Sequence, residues 1–154
     1  DLKEFDRRFG PFLDRIVIEL TESEKWDEGS YRSKKQRTTD CRSQLALDDF
    51  GTGYNSSAVL LDLMPDYVKI DMSIVRGIGS DPDRRAMFQS LADFSHGRGI
   101  KVVAEGVETA EELQVLLECG ADYFQGYFFG KPELIPQGPH PRALAQLAAL
   151  RKQN

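Results

Sequence analysis

The sequence predicts an α/β fold: a parallel sheet of about five strands with intervening helices. Three observations carry this expectation. Strand-length segments rich in β-branched and aromatic residues begin at residues 16, 45, 67, 100 and 123. The intervals of 29, 22, 33 and 23 residues leave room for the crossover helix that parallel neighbours need. Helix start and stop residues also fall between the later segments. The chain has 154 residues, 40% of them hydrophobic and 29% charged, which suits one folded domain and not a disordered chain.

The first strand is expected over residues 16–20 and the second over 45–48. Between them, residues 21–44 offer only Trp26, Tyr31 and Cys41 as sizeable apolar side chains, at no helical period. A crossover helix needs an apolar stripe to lie on the sheet. This stretch, with its basic run Arg32-Ser33-Lys34-Lys35-Gln36-Arg37, is therefore expected to be a poorly ordered solvated loop, with a partner-binding patch as the alternative.

The third strand is expected over residues 67–71. Asp81-Pro82 then supplies a capping side chain followed by a proline at the first helical position. Met87, Phe88, Leu91, Ala92 and Ser95 follow helical spacing, so a helix is expected over 83–97, ending at Gly97 or Gly99. The fourth strand is expected over 100–105. Thr109 and Glu112 form a capping box for a helix bearing Leu113, Leu116 and Leu117 and closed by Gly120. The fifth strand is expected over 123–128. Residues 130–141 hold two glycines and four prolines and read as a loop, and Pro141 opens a last helix over about residues 141–151.

Composition excludes several kinds of chemistry. A net charge of -5 argues against a nucleic-acid polymer held by phosphate neutralisation. His96 and His140 are the only histidines, so a histidine-built zinc site is not expected. Cys41 and Cys119 are too few for a disulfide framework and read as small buried hydrophobes. No apolar run approaches 18 residues and no basic-then-apolar leader opens the chain, so neither a membrane span nor a signal peptide is expected.

The informative polar residues are those at strand ends. Glu19, Asp48 with Asp49, Lys69 with Asp71, Glu105 and Gln125 stand at or near the C-terminal ends of the five segments. In a parallel barrel that end carries the active site. Carboxylates converging there repel one another unless a cation compensates them, and oxygen ligands without histidine suit Mg²⁺ or Mn²⁺, with Ca²⁺ also possible. Asp48-Asp49-Phe50-Gly51-Thr52-Gly53-Tyr54 is the most specific string. Its glycines permit a sharp turn behind two adjacent carboxylates, and it fails as a nucleotide-binding fingerprint. Taken singly, Asp49 could cap a turn, Asp71 could cap a helix from Met72, and Lys69 could pair with a buried acid. An enolase-like proton-abstracting site would also fit carboxylates with a strand-end lysine.

Glu19-Leu20-Thr21-Glu22, LALDDFGTGYNSS from Leu45, YVKID from Tyr67, VVAEGVE from Val102 and FQGYFFGKP from Phe124 together resemble the EAL-domain family. Its members are bacterial cyclic di-GMP phosphodiesterases and their inactive relatives on a (β/α)₈ TIM-type barrel. The resemblance covers residues 12–132, and the motifs lie within 16–132. It implies an incomplete barrel of about five strands, one EAL-like domain over residues 1–154, and a bacterial cytoplasmic setting. The implied reaction is metal-dependent hydrolysis of one phosphodiester of cyclic di-GMP, giving pGpG, with two Mg²⁺ or Mn²⁺ ions clamping the attacking and leaving oxygens.

Position by position, the resemblance makes Glu19, Asp48 and Asp49 metal ligands. Lys69 becomes the lysine that positions or deprotonates the attacking water, Glu105 a further catalytic carboxylate, and Gln125 a substrate-binding residue. Glu22 and Glu108 become glutamates that support the ligands from behind, Glu22 by steadying the loop at 48–54.

This sequence also departs from the family pattern. The Glu-Ala-Leu motif and an asparagine ligand belong upstream of Asp1, and Asn55 and Ser57 stand where a serine and a leucine are usual. A barrel of this type takes about 250 residues, so the resemblance implies truncation at the N-terminus and weak or absent activity for this chain alone. The alternatives are a non-catalytic cyclic dinucleotide receptor and a protein-interaction module. An open five-stranded sheet has two bare edges, so a homo-oligomer or a partner chain covering them is expected.

Overall fold

The computed structural model describes residues 2–21, 28–51, 56–135 and 137–152. Helix α1 (Leu2–Phe9) and a 3₁₀ helix (Gly10–Arg15) lead into β1 (Val17–Thr21). There follow α2 (Glu28–Asp40), β2 (Gln44–Phe50), α3 (Ser56–Leu63), β3 (Tyr67–Ile70), α4 (Met72–Val75), α5 (Pro82–His96), β4 (Lys101–Ala104), α6 (Ala110–Glu118), β5 (Tyr123–Phe124) and α7 (Pro141–Leu150). The strands form one sheet in the order β1-β2-β3-β4-β5, and every neighbouring pair is parallel. This is the sequential arc of a TIM-type barrel, as the sequence predicts. Among the described residues β1 and β5 are each paired on one side only.

Side chains alternate across the sheet with the period of two that extended backbone imposes. Leu45, Leu47, Val68, Ile70, Val102 and Ala104 face the helices and are buried with Leu60, Leu63, Phe88, Ala92, Leu113 and Leu116 in one core. The opposite positions, Val17, Glu19, Ala46, Tyr67, Lys69, Val103, Tyr123 and Gln125, line a cavity of about 300 Å³. One face thus holds the fold together and the other carries the polar residues at its C-terminal end.

The expected caps are in place. Asp81 accepts from the Asp83 and Arg84 backbone amides at the start of α5. Thr109 and Glu112 complete the capping box of α6, and Gly120 takes φ +89° just past that helix. His96, at the end of α5, places Nε2 2.9 Å from an Asp122 carboxylate oxygen.

Two expectations need correction. Residues 28–40 form a helix, although the segment lacks an apolar stripe. Polar contacts dock it: the Lys35 ammonium donates to the carbonyls of Leu63 and Met64 at the end of α3, at 2.7 and 2.8 Å, and Thr38 is buried. Trp26 lies outside the described residues. The fifth strand spans two residues instead of six. It ends because the Gln125 carbonyl accepts from Val107 in the loop after β4, and Phe129 then folds back to donate to the Gly126 carbonyl.

Candidate active site

A regular strand points adjacent side chains to opposite faces, so Asp48 and Asp49 could not both face one site. The end of β2 departs from that rule. Leu47 pairs with Val68, and the next pair is Phe50 with Ile70, so β2 carries one extra residue opposite β3. This is a β-bulge. Asp49 sits in it at φ +57°, a left-handed conformation that aspartate tolerates better than most residues. Carboxylate oxygens of Asp48, Asp49 and Glu105 consequently come within 4.8 Å of one another.

Lys69 projects from β3 into this group and is buried. Its ammonium lies 2.6 Å from Asp48, 2.9 Å from Glu105 and 3.3 Å from Glu19. Burial works against the lysine's charge, but hydrogen bonds to Asp48 and Glu105 outweigh it and hold the ammonium well above its ordinary range. Glu105 shifts upward too: burial is the largest cause, aided by the negative charges of Asp48 and Asp49 and opposed by Lys69.

The donor set suits a hard cation. Divalent ions bind carboxylate oxygens at about 2.0–2.6 Å, so oxygens no more than 4.8 Å apart can share one ion. Asp48, Asp49 and Glu105 are the candidate ligands in contact range, with Glu19 reaching the cluster through Lys69. Gln125 stands at the junction of two cavities, the one lined by Lys69 and Glu19 and a wider one of about 680 Å³ bordered by Tyr127, Phe129, Lys131 and His140.

Other expected residues fall elsewhere. Asp71 caps α4, accepting from the Ser73 amide at 2.8 Å, which is the structural role weighed for it. Glu108 pairs with Arg76 on the surface. Glu22, Tyr54 and Asn55 lie outside the described residues. Sequence reasoning missed Tyr67 and Tyr123, whose rings meet edge to face at 5.8 Å on the face that carries Lys69. The signal was present: each stands two positions before an expected site residue, on the same side of its strand.

Comparison with known proteins gives a consistent picture. A family model described as EAL domain matches residues 2–132. The Escherichia coli K12 protein named "Probable cyclic di-GMP phosphodiesterase PdeG" is 39% identical over 120 residues, which is 76% of this chain and 23% of that protein. Cyclic di-GMP phosphodiesterase PdeF of the same organism is 36% identical over 120 residues, covering 77% of this chain and 16% of its own length. The chain thus spans about a quarter or less of these curated relatives. Among solved structures, a standalone EAL protein from Vibrio cholerae in its c-di-GMP-bound form superposes with a TM-score of 0.84 at 29% identity, over 92% of this chain and 61% of that one. Klebsiella pneumoniae BlrP1, solved as a manganese/cy-diGMP complex, gives a TM-score of 0.77 at 35% identity, over 85% of this chain and 34% of that one.

Proposed function

Because this chain belongs to the EAL domain family, we propose that its strand-end cluster serves divalent-metal-dependent hydrolysis of cyclic di-GMP to pGpG. The observation that carries this reading is the convergence of Asp48, Asp49 and Glu105 to within 4.8 Å beside the Lys69 ammonium. In this reading Asp48, Asp49 and Glu105 hold Mg²⁺ or Mn²⁺, and Glu19 adds negative charge at the exposed side. A bound divalent cation supplies a water of lowered pKa and neutralises charge on the phosphoryl oxygens. Lys69 orients the carboxylates and the attacking water by donating hydrogen bonds. Gln125, between the two cavities, contacts the dinucleotide. The relatives named as phosphodiesterases and the similar structures holding cyclic di-GMP support the choice of substrate.

We propose further that the chain alone turns over slowly, since the sequence contains no Glu-Ala-Leu string to complete the ligand set. One observation favours a second reading, a non-catalytic receptor: the Lys69 ammonium already pairs with Asp48 and Glu105, so the cluster is partly neutralised without an ion. Incubation with cyclic di-GMP and Mn²⁺ or Mg²⁺, followed by nucleotide chromatography, separates the two. Formation of pGpG, lost in Glu105→Gln, supports the phosphodiesterase; calorimetric binding without product supports the receptor. Sedimentation velocity tests the expected self-association through the β1 and β5 edges, which a monomer would discard.

A further inference from the structure

Glu112 does more than cap α6. It is a buried carboxylate in the first turn of that helix. One oxygen accepts from the Glu108 and Thr109 amides, at 2.9 and 3.2 Å, which completes the capping box. The other reaches a different part of the chain and accepts from the Gly77 amide at 3.0 Å. A capping box needs only the first set of bonds. The second ties the loop after β4, which begins with Glu105, to the segment after β3, which follows Lys69.

The two segments meet at other points along the same seam. The Glu105 amide donates to the Ile70 carbonyl at 3.1 Å. Gly106 lies so close to Met72 that an added Cβ would stand 2.4 Å from the Met72 Cβ. On its far side the β4 loop is held by the segment that follows β5, through the Val107 amide on the Gln125 carbonyl and the Phe128 amide on the Val107 carbonyl. A short loop bearing one site carboxylate is thus fastened to both neighbouring strand ends; on the β3 side the exposed Arg76–Glu108 pair and the buried Glu112 carboxylate both cross the seam.

We infer that Glu112 is a positioning residue: by bridging Gly77 to the Glu108–Thr109 amides it sets where Glu105 stands relative to Lys69. The inference rests on the cluster's proposed role for its functional meaning, but its geometry can be tested separately. Glutamine at this position retains one carbonyl oxygen for the cap and turns an NH₂ group toward the Gly77 amide, donor against donor. Glu112→Gln therefore keeps the cap and breaks the bridge.

Amide hydrogen exchange, thermal melting and Mn²⁺ titration of the full chain are compared with Glu112→Gln and with Glu111→Gln, a neighbouring exposed glutamate. In Glu112→Gln the Gly77 and Glu105 amides should exchange about tenfold faster, while Val102 and Leu116 stay protected. The melting temperature should hold within about 3 degrees, and Mn²⁺ affinity should fall at least about threefold. Glu111→Gln should alter none of these. Glu112→Asp, one methylene too short to reach both segments, should repeat the Glu112→Gln pattern and serves if that variant does not fold. The inference is overturned if Gly77 exchange rises while Glu105 exchange and Mn²⁺ affinity stay at the wild-type level. If the wild-type chain takes up no Mn²⁺, the metal reading of the cluster fails, and Glu105 exchange alone then decides the positioning role.

Discussion

The Lys69 ammonium donates to the Asp48 carboxylate across 2.6 Å, joining one strand to the bulged end of its neighbour. Removing the ammonium would take from Asp48 and Glu105 the cation that both now contact, at 2.6 and 2.9 Å. Lys69→Met should lower stability by about 2–3 kcal/mol at neutral pH, less than for a fully buried pair because the site is open on one side. Added Mn²⁺ should restore part of the loss. Urea melts with and without the ion measure both effects, and a variant as stable as wild type would show that the ion pair contributes nothing net.

Asp49→Asn should separate ion binding from folding. Asparagine tolerates the left-handed backbone of the bulge, so stability should change by no more than about 0.5 kcal/mol. Losing one negative ligand should weaken Mn²⁺ binding by about tenfold. Calorimetric titration reads the affinity, and an unchanged value would remove Asp49 from the ligand set.

Gly126→Ala should be costly for a reason unrelated to chemistry. A Cβ at this position would stand 2.2 Å from the Val107 carbonyl oxygen and 2.3 Å from its nitrogen. Backbone in a loop fastened on both sides cannot retreat cheaply, so a loss of about 3 kcal/mol is expected. A denaturation midpoint close to wild type would mean that the loop yields more easily than its hydrogen bonds imply.

Asp122 makes stability depend on acid. Burial opposes its charge, but the Val102 amide, His96 and Lys101 outweigh that and hold the carboxyl below the usual carboxylate range. A depressed folded value means the contribution is complete above the unfolded pKa of about 3.9 and is lost as pH falls through the folded value. Asp122→Asn should therefore be less stable at pH 7 by about 1–2 kcal/mol and should lose stability less steeply below pH 4. Denaturation midpoints measured from pH 7 to pH 2 test the slope, and parallel curves would contradict it.

Much of this arrangement was legible in the residues. The period of two that buries Leu45, Leu47, Val68 and Ile70 is the same period that sends Lys69 to the opposite face, so strands and site residues were read together. Capping residues marked α5 and α6 because a cap is a local event. What escaped depends on partners distant in sequence. Helix α2 is docked by Lys35 on the carbonyls of Leu63 and Met64, a contact with no hydrophobic signature. Helix α3 follows the glycine loop as the nearly unbroken apolar run Val59-Leu60-Leu61, which has no polar face to give it a period. The bulge at Asp48–Asp49 is a property of register against β3, and the second bond of Glu112 reaches 35 residues back to Gly77. A capping box can be read in four residues; a bridge of that span cannot.

The β2 bulge makes the ligand cluster genetically separable from the scaffold. It is a single-residue surplus: Leu47 and Phe50 keep their partners Val68 and Ile70, and the extra length between them is what brings two neighbouring carboxylates to one side. Deleting Asp49 would let β2 run straight with Phe50 still opposite Ile70, so the buried face would survive while the cluster lost a member. A one-codon deletion would thus disable the ligand cluster and leave a folded protein. Descendants of such a chain would keep the shape of the family, its core residues and even Asp48, Lys69 and Glu105, while lacking the complete ligand set.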